Sequence, residues 1–166
     1  MPNQGEFCFI SMQYYVDFPD RYLMTHDDGG KKRPFFFVFE DSLHKGIFWL
    51  VPISRVDNKN NKYQREIARK MQRYGVCDTI VLGRVLGQNA AFLIQNMCPV
   101  TQKYIESVYV QKSTGSIVAV DKITEQTVIR SARKVWAQVK KGYKLVWPDI
   151  IKIYEVLASD IGDDQK

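Results

Sequence analysis

The sequence predicts an α+β fold, a small and partly open antiparallel β-barrel with appended helices. Short apolar, β-branched and aromatic runs come in pairs separated by turn residues, which is typical of hairpins. Longer segments change to a helical period, and the absence of regular strand–helix alternation disfavours a doubly wound sheet. With 166 residues, of which 45% are apolar, the chain is long enough for one domain with a good core.

Three strands are expected in the first third of the chain. Residues 5–11 form the first, and the aromatic run at 34–40 (PFFFVFE) predicts a well-buried second strand. A turn at 41–46 returns the chain into a third strand at 47–53. The connection at 17–33 contains Asp-Gly and Gly-Gly steps, and its length is typical of a functional loop.

The next segment predicts a helix over residues 62–74. Its apolar residues recur at i, i+4, i+8 and i+11 and share one face: Tyr63, Ile67, Met71 and Tyr74. Gly75 is well placed to end the helix. The opposite face is cationic: Arg65, Arg69, Lys70 and Arg73. On this pattern alone, a solvated surface and a binding surface are equally good interpretations.

The rest of the chain completes the predicted domain. Further strands are expected at 79–85, 90–95, 107–111, 116–120 and 143–147. Asp121 is the predicted N-cap of a long helix through residue 141, and Pro148 opens a short helix that ends at residue 157. Residues 159–166 form an acidic tail that we expect to fray. The single domain therefore spans residues 1–158.

Most of the net charge lies in one segment, residues 55–74. Seven cations and two anions give it a net charge of +5, out of a formal +6 for the whole chain. The segment follows directly on the predicted strand at 47–53, which delivers the Ser54 hydroxyl and the Arg55 guanidinium to the start of a basic, Asn-rich surface. Such local concentration of charge indicates a polyanion partner, and nucleic acid is the obvious one.

Several function classes lack their motifs. Neither a phosphate-binding Gly-rich loop, a dinucleotide fingerprint, a zinc-protease helix nor a nucleophile elbow occurs. The three cysteines show no paired spacing and only two histidines exist, so a disulfide framework and a zinc site are not expected. We expect no cofactor and no metal. Without a visible signal peptide or an apolar run of about 20 residues, we expect a soluble cytoplasmic protein.

Metal-free RNA cleavage needs little machinery, because RNA supplies its own 2′-hydroxyl nucleophile. A hydroxyl beside cationic side chains can stabilise the phosphate, although a turn serine is the commoner explanation of Ser54. His26 and His44 are candidate acids or bases, but both lie in predicted turns where a structural role is favoured. Tyr14, Tyr15 and Phe18 are candidate base-stacking residues, with core packing the favoured interpretation for most of them.

Three runs carry a family resemblance: GVCDTIVLG at 75–83, VLG at 85–87 and AFLIQNMCP at 91–99. They closely resemble the toxins of the CptIN family, which belong to type III toxin–antitoxin systems and have ToxN and AbiQ as relatives. Shorter matches extend the resemblance over residues 5–157.

The resemblance implies an extended SH3-like antiparallel β-barrel, as in the MazF and Kid toxins. It implies a metal-independent bacterial endoribonuclease that acts on cellular RNA. The implied inhibitor is a small RNA pseudoknot, which the toxin excises from a repeated precursor. Toxin and RNA would form a heteromeric assembly with more than one toxin copy.

The resemblance also implies site residues. Ser54 takes the position of a phosphate-contacting hydroxyl, and Arg55 stands where the family has a second hydroxyl. Lys59 is the nearest candidate for a family lysine, Arg33 falls on another, and Gly29 replaces a family tyrosine. The predicted catalytic residues are thus Arg33, Ser54, Arg55 and Lys59. The predicted RNA-binding residues are Lys31, Lys32, Lys62, Tyr63, Arg65, Arg69 and Arg73. A non-catalytic RNA-binding module and a protein–protein interaction domain remain alternatives.

Overall fold

The computed structural model of the protein describes residues 1–25, 30–57, 59 and 61–164. Within these ranges the strands are β1 (Phe7–Ile10), β2 (Phe35–Glu40), β3 (Phe48–Arg55), β4 (Val81–Val85), β5 (Gln88–Phe92), β6 (Cys98–Val100) and β7 (Ile105–Val108). The α-helices are α1 (Met12–Asp17), α2 (Lys62–Tyr74), α3 (Lys122–Lys140) and α4 (Ile150–Asp164). The predicted α+β class is confirmed. No helix in these ranges combines the length and the apolar character that a bilayer crossing requires.

The strands form one antiparallel sheet in the order β4-β5-β3-β2-β1-β7, and β6 pairs with β3 outside this path. β4 and β7 are the edges, and in the described part of the chain they are not hydrogen-bonded to each other. The antiparallel pairing that the sequence predicted is confirmed, and the sheet of the described residues is open and does not close into a barrel. Helices cover both faces of the sheet. The sheet therefore does not need to close on itself to bury its apolar side chains.

The two faces of the sheet carry separate clusters of buried side chains. Trp49 and Val51 face α3, and the Trp49 ring lies 4.3 Å from the ring of Trp136. Leu50, between them in the strand, faces the opposite cluster with α1 and α4. Because both faces are buried, β2 is the nearly uninterrupted aromatic strand that the sequence predicted.

β3 positions the candidate site because it extends further than its neighbour β2. The last residue of β3 that pairs with β2 is Pro52. The strand then continues through Ser54 and Arg55, which pair with β5 on the other side. These two residues therefore lie on a projecting strand end, next to the segment that leads into α2.

Local capping signals predicted the helices α2 and α3 well. α2 has the predicted bounds, and Gly75 ends it with a left-handed φ of 74° while its N–H donates to the Met71 carbonyl at 2.8 Å. α3 begins after Asp121, whose carboxylate accepts a hydrogen bond from the Thr124 N–H at 2.9 Å. Both predictions are confirmed.

Predictions that depended on distant contacts were less successful. The strand predicted at 143–147 was wrong, because this segment is irregular. Residues 116–120 contribute only isolated bridges. α4 continues to Asp164, so the helix end predicted at residue 157 was also wrong. Helix α1 was not predicted, although the Ser11 hydroxyl caps it by accepting a hydrogen bond from the backbone.

A buried carboxylate ties the turn between β2 and β3 to α4. Asp41, 3% exposed, accepts hydrogen bonds from Trp49 Nε1 at 3.1 Å, the Tyr154 hydroxyl at 2.9 Å, and the N–H groups of Leu43 and His44 at 3.0 and 2.9 Å. Burial raises the pKa of Asp41, but these hydrogen bonds outweigh it and hold the pKa below its ordinary value. The fold therefore stabilises the ionised form.

We expect Asp41→Asn to lower the free energy of unfolding by about 2 to 3 kcal/mol, because several donors lose their charged acceptor. In the native protein this contribution is present above about pH 4 and is lost as the pH falls through the depressed pKa of the folded state. Denaturant titrations from neutral to acidic pH measure both effects. The exposed carboxylate Asp160 is the control, and equal stability of Asp41→Asn and Asp160→Asn would contradict the prediction.

Candidate nucleic-acid interface

A stripe of four cations runs along one side of α2. Its members repeat at i, i+3, i+7 and i+11 and cover about 16 Å of the helix: Lys62, Arg65, Arg69 and Arg73. All four are exposed, and none forms an ion pair with another described residue. A row of exposed cations that form no ion pairs is a favourable surface for a polyanion.

The apolar side of α2 is only half docked on the sheet. Tyr63 and Ile67 pack against a small cluster of three buried residues beneath the helix. Met71 and Tyr74 lie beyond this cluster and are 48% and 64% exposed. The apolar face is therefore docked over the first half of the helix and exposed over the second, and no residue of α2 is fully buried.

Lys70 attaches α2 to the sheet by polar contacts. Its ammonium donates hydrogen bonds to the Thr79 hydroxyl at 2.7 Å and to the Gln95 side-chain oxygen at 2.9 Å. It also lies 3.5 Å from the Glu66 carboxylate on the same helix. The sequence assigned Lys70 to the cationic face, and this was wrong because the side chain turns inward to buried polar groups.

Ser54 and Arg55 leave β3 on opposite faces, since successive side chains of a strand alternate. Ser54 pairs with Ala91, which belongs to the cluster beneath α2. Arg55 pairs with Ala90, which belongs to the cluster beneath α3. Ser54 is thus partly exposed on the α2 side and Arg55 is exposed on the α3 side. The two predicted catalytic residues do not converge on one point.

Arg33 reaches the projecting end of β3 from the neighbouring connection. Its guanidinium donates a hydrogen bond to the Ile53 carbonyl at 2.7 Å, in the peptide group that immediately precedes Ser54. The structure therefore brings these two predicted catalytic residues together. Arg33 is only 7% exposed, so its guanidinium presents little surface to a phosphate.

The remaining predicted lysines lie in different places. Lys31 is exposed, and Lys32 forms an ion pair with Glu106 of β7, on the other side of β2 from β3. Lys59 is exposed in the segment between β3 and α2, where its N–H donates to the Asp57 carboxylate at 2.9 Å. Of these three lysines, Lys59 is continuous along the chain with the cations of α2.

Of the two histidines considered as acids or bases, only His44 lies within the described residues. His44 lies at the turn of the β2–β3 hairpin, and its Nδ1 is 2.7 Å from the Tyr154 hydroxyl. The length of β3 places this turn about 20 Å from Ser54. His44 therefore has a structural position, as its turn location favoured. His26 and Gly29 lie outside the described residues.

The aromatic residues first considered for base stacking belong to the core. Tyr14 is fully buried, and its hydroxyl donates to the Pro99 carbonyl at 2.8 Å. Tyr15 and Phe18 pack against the same cluster. The favoured interpretation as core residues is confirmed.

Three exposed aromatic residues that the sequence analysis did not select line an open groove of about 610 Å³: Tyr22, Tyr143 and Trp147. They were missed because they are far apart in the sequence and because 143–147 was interpreted as a strand. The signal for this groove is the solvent exposure of its aromatic side chains, which only the folded structure shows.

Comparison with protein families and with curated proteins adds no relative. No family model matches the chain, and no curated protein matches it. Within the described ranges, no group of three or more His, Cys, Asp and Glu side chains is placed to hold a metal ion. Motifs and geometry are therefore the basis for a functional proposal.

We expect Lys70→Met to lower the free energy of unfolding by about 1 to 3 kcal/mol, because the hydroxyl of Thr79 and the amide of Gln95 are buried and would lose their donor. Arg69→Met is the matched control on the exposed stripe and should change stability by less than about 0.5 kcal/mol. Urea denaturation of both variants measures the difference. Equal losses would mean that Lys70 does not attach the helix.

Proposed function

We propose that the protein is a metal-independent endoribonuclease toxin of a bacterial type III toxin–antitoxin system. The resemblance of residues 5–157 to the CptIN toxins supports the proposal. The structural observation that carries it is an arrangement along the chain. Ser54 lies on the α2 side of the sheet, Lys59 follows in the connecting segment, and the cation stripe of α2 comes next. A hydroxyl at the end of a cationic surface suits a phosphodiester substrate.

The reaction follows from the chemistry of RNA. The 2′-oxygen attacks the adjacent phosphorus, the bond from phosphorus to the 5′-oxygen breaks, and the products carry a 2′,3′-cyclic phosphate and a 5′-hydroxyl. One proton leaves the 2′-hydroxyl and another reaches the departing oxygen. In this proposal Ser54 donates a hydrogen bond to a non-bridging oxygen and Lys59 supplies positive charge. Arg33 is a positioning residue, and Arg55 is left out because it faces α3.

The cation stripe and Lys31 would hold RNA, either a cellular substrate or an inhibitory antitoxin pseudoknot. The half-buried ring of Tyr63, with the Lys62 ammonium 5.4 Å from its centre, would shape the start of this surface. The active assembly in the bacterial cytoplasm would contain more than one toxin copy and no cofactor. We also propose that the open sheet is an elaboration of the SH3-like fold of the MazF and Kid toxins.

Two observations favour a second candidate, a non-catalytic RNA-binding module. His44, the one histidine among the described residues, lies about 20 Å from Ser54, and Arg33 is buried. This geometry provides phosphate binding more readily than proton transfer. The two candidates differ in a single measurable property, which is whether RNA is cut in the absence of metal ions.

We expect the purified protein, freed of bound RNA, to cut single-stranded RNA in the presence of EDTA. Ser54→Ala should lower the cleavage rate by about 100-fold or more, because one hydrogen bond to the transition state is lost. Analysis of the cut ends should show cyclic phosphate and 5′-hydroxyl. Ser54 is the better test than Arg33, whose replacement would also disturb the strand end.

The control for this experiment is Ser116→Ala, which removes an exposed hydroxyl outside the described strands and helices. It should cleave at the native rate. Absence of cleavage by the native protein, or cleavage that requires a divalent ion, would contradict the proposed function. Cleavage by Ser54→Ala at the native rate would remove Ser54 from the site.

The salt dependence of RNA affinity tests the cation stripe. We expect three single substitutions each to make the negative slope of log affinity against log salt shallower by about 0.7, the value for one phosphate contact in a single strand. They are Arg65→Gln, Arg69→Gln and Arg73→Gln. Lys112→Gln, an exposed cation between β7 and α3, should leave the slope unchanged. Fluorescence anisotropy with a labelled RNA measures the slopes. A flat salt dependence in the native protein would instead favour a protein partner.

A further inference from the structure

The groove lined by Tyr22, Tyr143 and Trp147 gathers most of the exposed aromatic surface. Among the described residues, the aromatic side chains with large exposure are Tyr22 (38%), Tyr74 (64%), Tyr143 (61%) and Trp147 (57%). Three of these four line one groove. Such clustering is unusual for side chains that are individually costly to expose, and it marks a binding surface.

Two of these rings form a platform. The centres of the Tyr22 and Trp147 rings are 5.7 Å apart, and their planes are inclined by 32°. Arg21 supports the Tyr22 ring: its guanidinium lies 4.8 Å from the ring centre and donates a hydrogen bond to the Tyr22 hydroxyl at 2.7 Å. The platform is thus held in place before any ligand arrives, which lowers the entropic cost of binding.

Two cations line the groove, Arg21 and Lys144, and both are exposed. Two carboxylates also line the groove, but both accept backbone hydrogen bonds. Asp20 accepts from the N–H groups of Tyr22 and Asp149, and Asp149 accepts from the N–H of Lys152. Exposed π faces beside cations complement a base attached to a phosphate.

The groove is connected to the surface on which RNA is proposed to bind. The backbone N–H of Trp147 donates a hydrogen bond to the backbone carbonyl of Gln95 at 2.8 Å. The side-chain oxygen of Gln95 accepts a hydrogen bond from Lys70 of α2. On the other side of the platform, the Tyr22 carbonyl accepts a hydrogen bond from Asn96 at 3.1 Å. Adjacent residues 95 and 96 therefore hold Trp147, Tyr22 and α2 in one arrangement.

We propose that this groove binds an unpaired nucleobase of single-stranded RNA, which stacks on Tyr22 and Trp147 while Lys144 contacts a flanking phosphate. The inference rests on the proposed RNA-binding function and adds to it a second contact, away from Ser54. Stacking tolerates any base, so the groove contributes affinity for unpaired strands and little sequence preference. A double-stranded RNA offers no free base face to it.

Trp147 provides its own spectroscopic probe. Of the three tryptophans, Trp49 and Trp136 are 0% and 5% exposed, whereas Trp147 is 57% exposed. The ligand is a labelled 2′-O-methyl RNA of about 12 nucleotides, which has no attacking hydroxyl and stays intact during the measurement. Anisotropy of the label reports binding, and quenching of tryptophan emission reports stacking on Trp147.

The expected result has three parts. The native protein binds the RNA and its tryptophan emission is quenched. Trp147→Leu, which keeps apolar bulk but has no aromatic ring, binds about tenfold more weakly. Trp147→Phe, which keeps a ring, binds within about threefold of the native affinity and shows no quenching. Thermal unfolding of each variant verifies that the fold is retained.

Other results would overturn the inference. If Trp147→Leu binds as tightly as the native protein and the native emission is not quenched, the groove does not hold a base, while cleavage of ordinary RNA would leave the proposed function intact. If the native protein binds no RNA, the proposed function fails as well. If Trp147→Leu changes only the oligomeric state in sedimentation, the groove is a contact between copies of the chain.

Discussion

The extension of β3 beyond β2 is the constraint on which the candidate site depends. A strand that outlasts its neighbour leaves backbone groups that need partners on one edge. At Ile53 the partner is the guanidinium of Arg33, which donates a hydrogen bond to the Ile53 carbonyl at 2.7 Å. Arg33 is only 7% exposed. A buried charge is tolerated only when it is hydrogen-bonded, so strand end and guanidinium stabilise each other. Ser54 is held in place by this arrangement.

The same constraint explains the long connection between α1 and β2. Its last residues return Arg33 to the end of β3, and Met24, earlier in the connection, packs against the small cluster beneath α2. Tyr22 precedes Met24 and reaches the aromatic groove. One connection therefore positions both the strand end and the platform. A change in its length would disturb both surfaces together.

The sequence predicted what local chemistry determines. The run of β2, the bounds of α2 and the cap of α3 at Asp121 each follow from periodicity or from a capping residue, and each is confirmed. The barrel closure, the structure of 143–147 and the direction of Lys70 depend on contacts between distant segments. A lysine on a cationic helix looks like its neighbours until Thr79 and Gln95 are brought beneath it. The sequence therefore predicted which residue types lie near the candidate site. It did not predict on which side of the sheet or helix each side chain lies.

The weak docking of α2 links the stability of this helix to its partner. Arg65, Arg69 and Arg73 repel one another at i, i+4 spacing, each pair at a cost of about 0.2 to 0.5 kcal/mol. No fully buried residue of the helix offsets this repulsion, so attachment depends on Lys70 and on the half-buried side of the first two turns. A polyanion that neutralises the stripe removes the repulsion and thereby stabilises the docked helix. The lack of a fully buried residue in α2 is therefore compatible with the proposed function. The cation stripe destabilises the helix when no ligand is bound, and a bound RNA would remove that repulsion.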